Sequence, residues 1–189
     1  FVKYSNEGKT AVFEEPIVLK GEVNGIYAEA AIQYTDSYTE NIVSFVNNIP
    51  TKEGGTHETG FRSALTKVLN DYARRTEVLK EKDSNFNGED FREGMTAIIA
   101  VKMQNIQFEG QTKAKLGSVE ARPAVEAIIS EQLEKFLENP KNEPVGGVIL
   151  EKAVQAAKVR EAAKKAKDIA RKKNSLDVTA LVGKLAPCT

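Results

Sequence analysis

The sequence predicts an α+β fold, an antiparallel-leaning sheet covered by helices, with a long helix at its C-terminal end. Three observations carry this. The first third of the chain holds short runs rich in Val, Ile, Tyr and Phe on either side of Asn24-Gly25, a strong two-residue hairpin signal. From Thr56 the apolar period lengthens from that of a strand to that of a helix. Glu151–Lys173 contains neither Gly nor Pro and is rich in Ala, Lys and Arg, all strong helix formers.

Taken in order, Thr10–Phe13 and Pro16–Val23 read as strand, and Ile26–Tyr34 alternates after the hairpin turn. Asn41–Ile49 is a further strand-like run, punctuated by Pro50 and Gly54-Gly55. Phe61, Leu65, Val68, Leu69 and Tyr72 then fall at helical spacing, with Thr56 as the expected N-cap and an end near Arg75. Lys80–Gly88 is charged and turn-rich, which predicts a loop. Met95–Met103 reads as a buried strand entered through a bend at Gly94. Ser118 is the expected cap of the next helix, whose Val125, Ile128, Ile129, Leu133, Phe136 and Leu137 form one face. Asn139-Pro140 through Pro144 predicts a break. Residues 1–150 thus read as one α+β domain, and residues 151–189 as a long basic helix and linker.

Composition excludes several chemistries. A single Cys, Cys188, rules out an internal disulfide framework and a Cys-rich zinc site, and is read as a free thiol. A single His, His57, removes any site that needs two, and its place beside two glycines predicts a hydrogen-bonded capping residue. No apolar run approaches the ~20 residues of a membrane-spanning helix. The acidic residues Glu77, Glu81, Asp83, Glu89 and Asp90 lack calcium-loop spacing, so no metal site is expected there. Net charge is zero, yet residues 1–150 carry 17 Lys and Arg against 23 Asp and Glu, while residues 151–189 carry 10 against 4. An acidic body with a basic tail suggests a surface that meets a polyanion.

Two segments hold candidate functional residues. In Gln107–Gly117, Gly110 permits a sharp turn, Gln111 offers an amide donor and Lys113 a compact positive charge on a long stem. Such a loop can place charge against a phosphoryl group, although most strings of this kind are solvated turns. On the long helix, Arg160, Lys164, Lys167 and Arg171 repeat with 3-4 spacing, as do Ala156, Val159, Ala163, Ala166 and Ala170. The alanine side predicts shallow packing. The cations are either a solvated face or a track for a nucleic-acid backbone, without aromatic residues for base stacking. Arg62 lies four residues after Glu58 and is expected to pair with it.

Asn47–Glu58, Arg92–Ala97 and Gln107–Lys113 resemble, in sequence, spacing and order, the second domain of the ATPase subunit of bacterial type IIA topoisomerases, found in DNA gyrase and topoisomerase IV. Ser175–Val178 and Gly183-Lys184-Leu185 extend the likeness over essentially the whole chain. Val182 and Pro187 depart from the family's usual tail. Ser175–Val178 leans towards gyrase, Leu79–Asp83 and Ala121-Arg122-Pro123 towards topoisomerase IV, and gyrase is favoured.

The resemblance implies a transducer domain with a ribosomal-protein-S-five-like fold, a four-stranded sheet with a left-handed βαβ crossover, which residue patterns alone do not give. It implies that Gln111 and Lys113 reach the γ-phosphate of ATP held mainly in a preceding domain, with Lys113 the catalytic contact. Mg would serve the parent enzyme without being bound here, and these residues alone would not hydrolyse ATP. Arg62, Arg160, Lys164, Lys167 and Arg171 become candidate contacts to double-stranded DNA. The implied partners are the neighbouring ATPase and cleavage-core domains, the A-type subunit and a second copy of the parent subunit, in the bacterial cytoplasm at the nucleoid. The other class left open is a non-catalytic nucleic-acid-binding module of the same fold.

Overall fold

The computed structural model describes the backbone of residues 2–182 and the side chains of residues 2–172. The side chains of Ser175–Val178 and Val182, together with Gly183–Leu185, Pro187 and Cys188, lie outside the described residues.

Strands β1 (Ile17–Val23) and β2 (Ile26–Tyr34) form the expected hairpin. Asn24 and Gly25 take φ of 52° and 74°, the left-handed values a tight two-residue turn demands at both central positions. Strand β3 (Asn41–Val46) is shorter than expected, because a second turn of the same kind intervenes at Asn47 and Asn48, with φ of 46° and 65°. The two-residue strand β4 (Ile49–Pro50) returns alongside it. Thr10–Phe13 is not a strand. Only Ala11 pairs, in an isolated bridge to Thr35.

Strand β5 (Met95–Lys102) completes a sheet of order β1-β2-β5-β3-β4, five strands rather than four, the fifth being β4. Strand β5 is antiparallel to β2 and parallel to β3. The parallel pair requires a crossover, supplied by helices α2 (Thr56–Arg75) and α3 (Gly88–Arg92). α3 falls at the end of the expected loop and is too short for a hydrophobic period. Its start is a capping box, in which Asn87 N–H donates to Asp90 Oδ2 at 2.8 Å.

Helix α4 (Ala121–Glu138) packs against α2 and across β1 and β2. Gly21 of β1 lies under Ile128, where an added Cβ would come within 3.0 Å of its Cγ2. Strand alternation is clean in β1: Ile17 and Leu19 are buried and Val18 is exposed. Short helix α1 (Val2–Ser5) is tied down by the residue after it. Asn6 donates to Gln33 Oε1 at 2.9 Å and accepts from Thr96 Oγ1 at 2.6 Å.

The last helix, α5 (Glu143–Val182), starts before Glu151 and continues past Lys173. Pro144 sits in its first turn, where a missing N–H costs nothing, so it does not break the helix. Gly146 lets it approach α2, since a Cβ there would lie 2.6 Å from the Tyr72 hydroxyl. Ile149, Leu150 and Ala153 belong to the core, so the boundary at residue 150 falls inside a packed helix. A second tether is electrostatic. Arg160 Nε and Nη2 donate to the two carboxylate oxygens of the nearly buried Asp90 at 2.9 and 3.0 Å.

Replacing Arg160 with Met is therefore expected to cost about 2 kcal/mol in urea unfolding, whereas Lys164→Met at an exposed position should change stability by less than about 0.5 kcal/mol. Equal effects would show that the pair does not fasten α5.

Candidate functional site

The candidate site grows from the carboxyl end of β5, where the chain leaves the sheet and forms a small hairpin, β6 (Phe108–Glu109) and β7 (Lys115–Leu116). Ser118 fixes its base, since Gln107 N–H donates to Ser118 Oγ at 2.8 Å and Gly117 N–H to Gln107 O at 2.8 Å. Lys115 Nζ and Glu109 Oε2 pair across the strands at 2.8 Å, and this hydrogen bond raises the Lys115 pKa. At the tip, Gly110 has φ of 84° and Lys113 of 54°. A lysine in the left-handed region costs of order 1–2 kcal/mol, and Glu77 takes the same region, with φ of 59°, in the turn after α2. Gln111, Thr112 and Lys113 are exposed, and among the described residues neither Gln111 nor Lys113 has a side-chain partner.

The hairpin is stitched to the start of α2. Glu53 N–H donates to Ala114 O at 2.9 Å, Leu116 N–H donates to Gly54 O at 3.0 Å, and Gly55 bridges Leu116 in parallel. Thr56 does not cap α2: Gly55 holds that position, and the Thr56 hydroxyl donates to Ser118 O at 2.7 Å. Ser118 does not cap α4 either, because its hydroxyl holds Gln107 and Asn105. Both hydroxyls are drawn away by partners that a local cap rule does not consider.

The groove beside the hairpin is lined by Lys52, Gly54, Gly55, Arg62, Glu109 and Lys115, among others. Arg62 thus shares it with the hairpin base. It pairs with Glu58 Oε1 at 2.9 Å, as expected, and also with Glu40, which in turn accepts from Arg92 Nε at 3.3 Å. Nothing in the sequence marks Glu40, and Asp90 reads there only as one acid in a solvated loop. The Asn87-to-Asp90 spacing of a capping box is the signal that distinguishes Asp90 from its neighbours.

The basic stripe lies elsewhere, on α5. Arg160 is committed to Asp90, while Lys164, Lys167 and Arg171 are exposed. The expected shallow packing ends early. Ala156 and Ala157 are buried, but Val159 is 68% exposed and residues 161–172 are all exposed, because α5 leaves the body there.

His57 is a core residue and not a cap. It is fully buried in the first turn of α2, with Nε2 3.2 Å from Thr51 Oγ1 and Nδ1 without a partner among the described residues. Thr51 Oγ1 also lies 2.7 Å from Ser44 Oγ, so the polar cluster ties the helix start to β3. Burial lowers the imidazole pKa from 6.5 to about 4. A base with a depressed folded pKa takes its proton first in the unfolded chain. Its stabilising contribution is complete above 6.5 and is lost as pH falls towards about 4, a change of about 3 kcal/mol. His57→Gln should therefore flatten the stability profile between those pH values in urea unfolding. A profile parallel to that of the unmodified protein would contradict this.

Comparison with known proteins bears on this arrangement. The DNA gyrase B family model matches residues 1–169. The DNA gyrase B protein of Clostridium acetobutylicum is 52% identical over all of this chain, which spans 30% of that relative. The Bacillus mycoides protein of the same name is also 52% identical, with 46% of its length spanned. Among solved structures, the 43K ATPase domain of Thermus thermophilus gyrase B in complex with an aminocoumarin superposes with a TM-score of 0.81 at 38% identity, over 89% of this chain and 45% of that one. The topoisomerase IV ATP-binding domain of Francisella tularensis gives 0.66 at 28% identity, over 77% and 39%. With the match covering the sheet, its helices and most of α5, the chain belongs to the DNA gyrase B family.

Proposed function

We propose that these residues are the transducer part of the ATPase subunit of an ATP-dependent type II DNA topoisomerase, a gyrase, and that the Gln111–Lys113 turn senses the γ-phosphate of ATP. The observation that carries this reading is the turn itself: a strained, exposed lysine and a neutral amide, free of protein partners among the described residues, on a hairpin fixed at its base. Both donors suit a terminal phosphate, the lysine as a point charge and the glutamine as a neutral amide. In this reading the Mg that accompanies the nucleotide would be held by other parts of the enzyme.

ATP supplies the phosphoryl group, and this chain supplies a contact that exists only while that group is attached. A contact present in one nucleotide state and absent in the other gives the two states different interdomain energies. Lys113 would also stabilise charge growing on the phosphoryl oxygens during transfer. The exposed Lys164, Lys167 and Arg171 of α5 would follow the backbone of a double-stranded DNA segment, with Arg160 orienting the helix and Arg62 a further contact once freed from its carboxylates. The remaining partners in this reading are the neighbouring ATPase and cleavage-core domains, the A-type subunit and a second copy of the ATPase subunit, in the cytoplasm.

In the full-length protein, Lys113→Ala should lower ATP turnover by about 10²-fold or more while nucleotide affinity changes little; unchanged turnover would sink the sensor reading. Neutralising Lys164, Lys167 and Arg171 together should weaken DNA association and reduce the slope of log K against log salt by up to about three. A slope identical to the parent's would make α5 a structural lever alone.

A further inference from the structure

The geometry points to Gly55 as the residue that positions Lys113. The inference rests on the reading of Lys113 as the phosphate contact and adds the element that sets where that contact sits. The hairpin strands are two residues long, too short to hold a fixed orientation by themselves. Their fixed reference is the segment Glu53–Gly55, which leads into the 20-residue helix α2. Leu116 is fully buried, so this limb of the hairpin is locked to the core, three residues from Lys113.

Gly55 governs how close the two segments come. A Cβ on Gly55 would lie 2.5 Å from Leu116 O, 2.6 Å from Leu116 N and 2.7 Å from Leu116 Cβ, and the residue has φ of 145°. Two of those three atoms are backbone, so a rotamer change at Leu116 gives no relief. With real Cβ contacts beginning near 3.0 Å, the hairpin must retreat by roughly half an ångström or more to accept a side chain. The antiparallel pairing of Phe108 with Leu116 and of Glu109 with Lys115, with the Glu109–Lys115 ion pair across it, couples the two limbs, so the displacement would pass to the tip. Charge placement against a reacting phosphoryl group tolerates only about 0.5 Å of error, and about 1 Å can cost on the order of 10²-fold in rate. Gly55 is thus a positioning residue: it touches no phosphate and acts through Lys113.

The same stitch makes the start of α2 part of the sensor. α2 carries Arg62 on the groove next to the hairpin, so the phosphate contact and that arginine are mounted on one support.

A double-mutant cycle in the full-length protein tests this. The steady-state kcat and KM for ATP are measured for Gly55→Ala, Lys113→Ala and the double variant. Gly55→Ala is expected to lower kcat by about 10- to 100-fold with KM changed by less than about 3-fold, and to have no further effect on the Lys113→Ala background. Loss by the same factor on both backgrounds would mean that Gly55 serves only folding, and overturns the inference. Unchanged kcat in Gly55→Ala overturns it too. If Gly55→Ala does not fold, Glu109→Gln and Lys115→Met probe the same brace from the surface. A several-fold kcat loss that vanishes on the Lys113→Ala background supports the inference, and an equal loss on both refutes it. Should Lys113→Ala itself leave turnover unchanged, the sensor reading fails first. Amide exchange at Leu116 then separates the two, since Gly55→Ala must accelerate it if Gly55 sets the hairpin, and unaltered exchange refutes that as well.

Discussion

Adjacent parallel strands cannot be joined by a turn, and β3 and β5 are such a pair. The chain between Val46 and Met95 therefore has to cross the face of the sheet, and the crossing segment is α2 followed by α3. Because β3 and β5 point the same way, the start of α2 and the exit of β5 meet at one end of the sheet. The hairpin that follows β5 can then be stitched to Gly54 and Gly55 without a long loop. Reversing β3 would leave the hairpin at one end and the helix start at the other.

Charge is sorted by the same architecture. Several arginines of the body are engaged by carboxylates and carbonyls. Arg62 and Arg92 share Glu40, Arg160 takes Asp90, and Arg74 reaches Asn85 Oδ1, Lys80 O and Asp83 O to hold the loop before α3. The planar guanidinium suits such multidentate roles better than an ammonium. Lysines of the body pair only at its surface, as Lys3 does with Glu15 and Lys135 with Glu131, while those at the solvated end of α5 and at the hairpin tip are exposed. An overall charge of zero thus conceals a body whose arginines are largely satisfied internally and a helix whose cations face water.

Local signals in the sequence were enough for the parts that local physics decides. Asn24-Gly25 is a turn because both residues tolerate positive φ, and α2 runs from Thr56 to Arg75 as its apolar spacing requires. The second turn, Asn47-Asn48, was hidden inside an apolar run, although paired asparagines carry the same tolerance. Thr56 and Ser118 looked like caps, yet each commits its hydroxyl to a partner that only the fold brings near. The expected start of α5 is late because Asn139-Pro140 through Pro144 reads as a break, whereas Pro144 sits in the first turn of the helix. Gly146 is there for the close approach of Tyr72. For the candidate site, residue type and spacing alone leave Gln111 and Lys113 as an ordinary exposed turn, and only the family resemblance singles them out. Their anchorage to Gly55 was not legible, since it is a contact between backbones.

The Arg160–Asp90 pair lies where α5 runs out from the body into solvent. From there to Lys172 the helix rises about 18 Å, at roughly 1.5 Å per residue. By the same geometry, a bend of about 10° in the helix just beyond that pair would carry its far cations through about 3 Å, roughly the length of a hydrogen bond. The pair marks where the body stops holding the helix, so a bend there leaves the packed core at Leu150 in place and is read out as movement of the exposed cations beyond it.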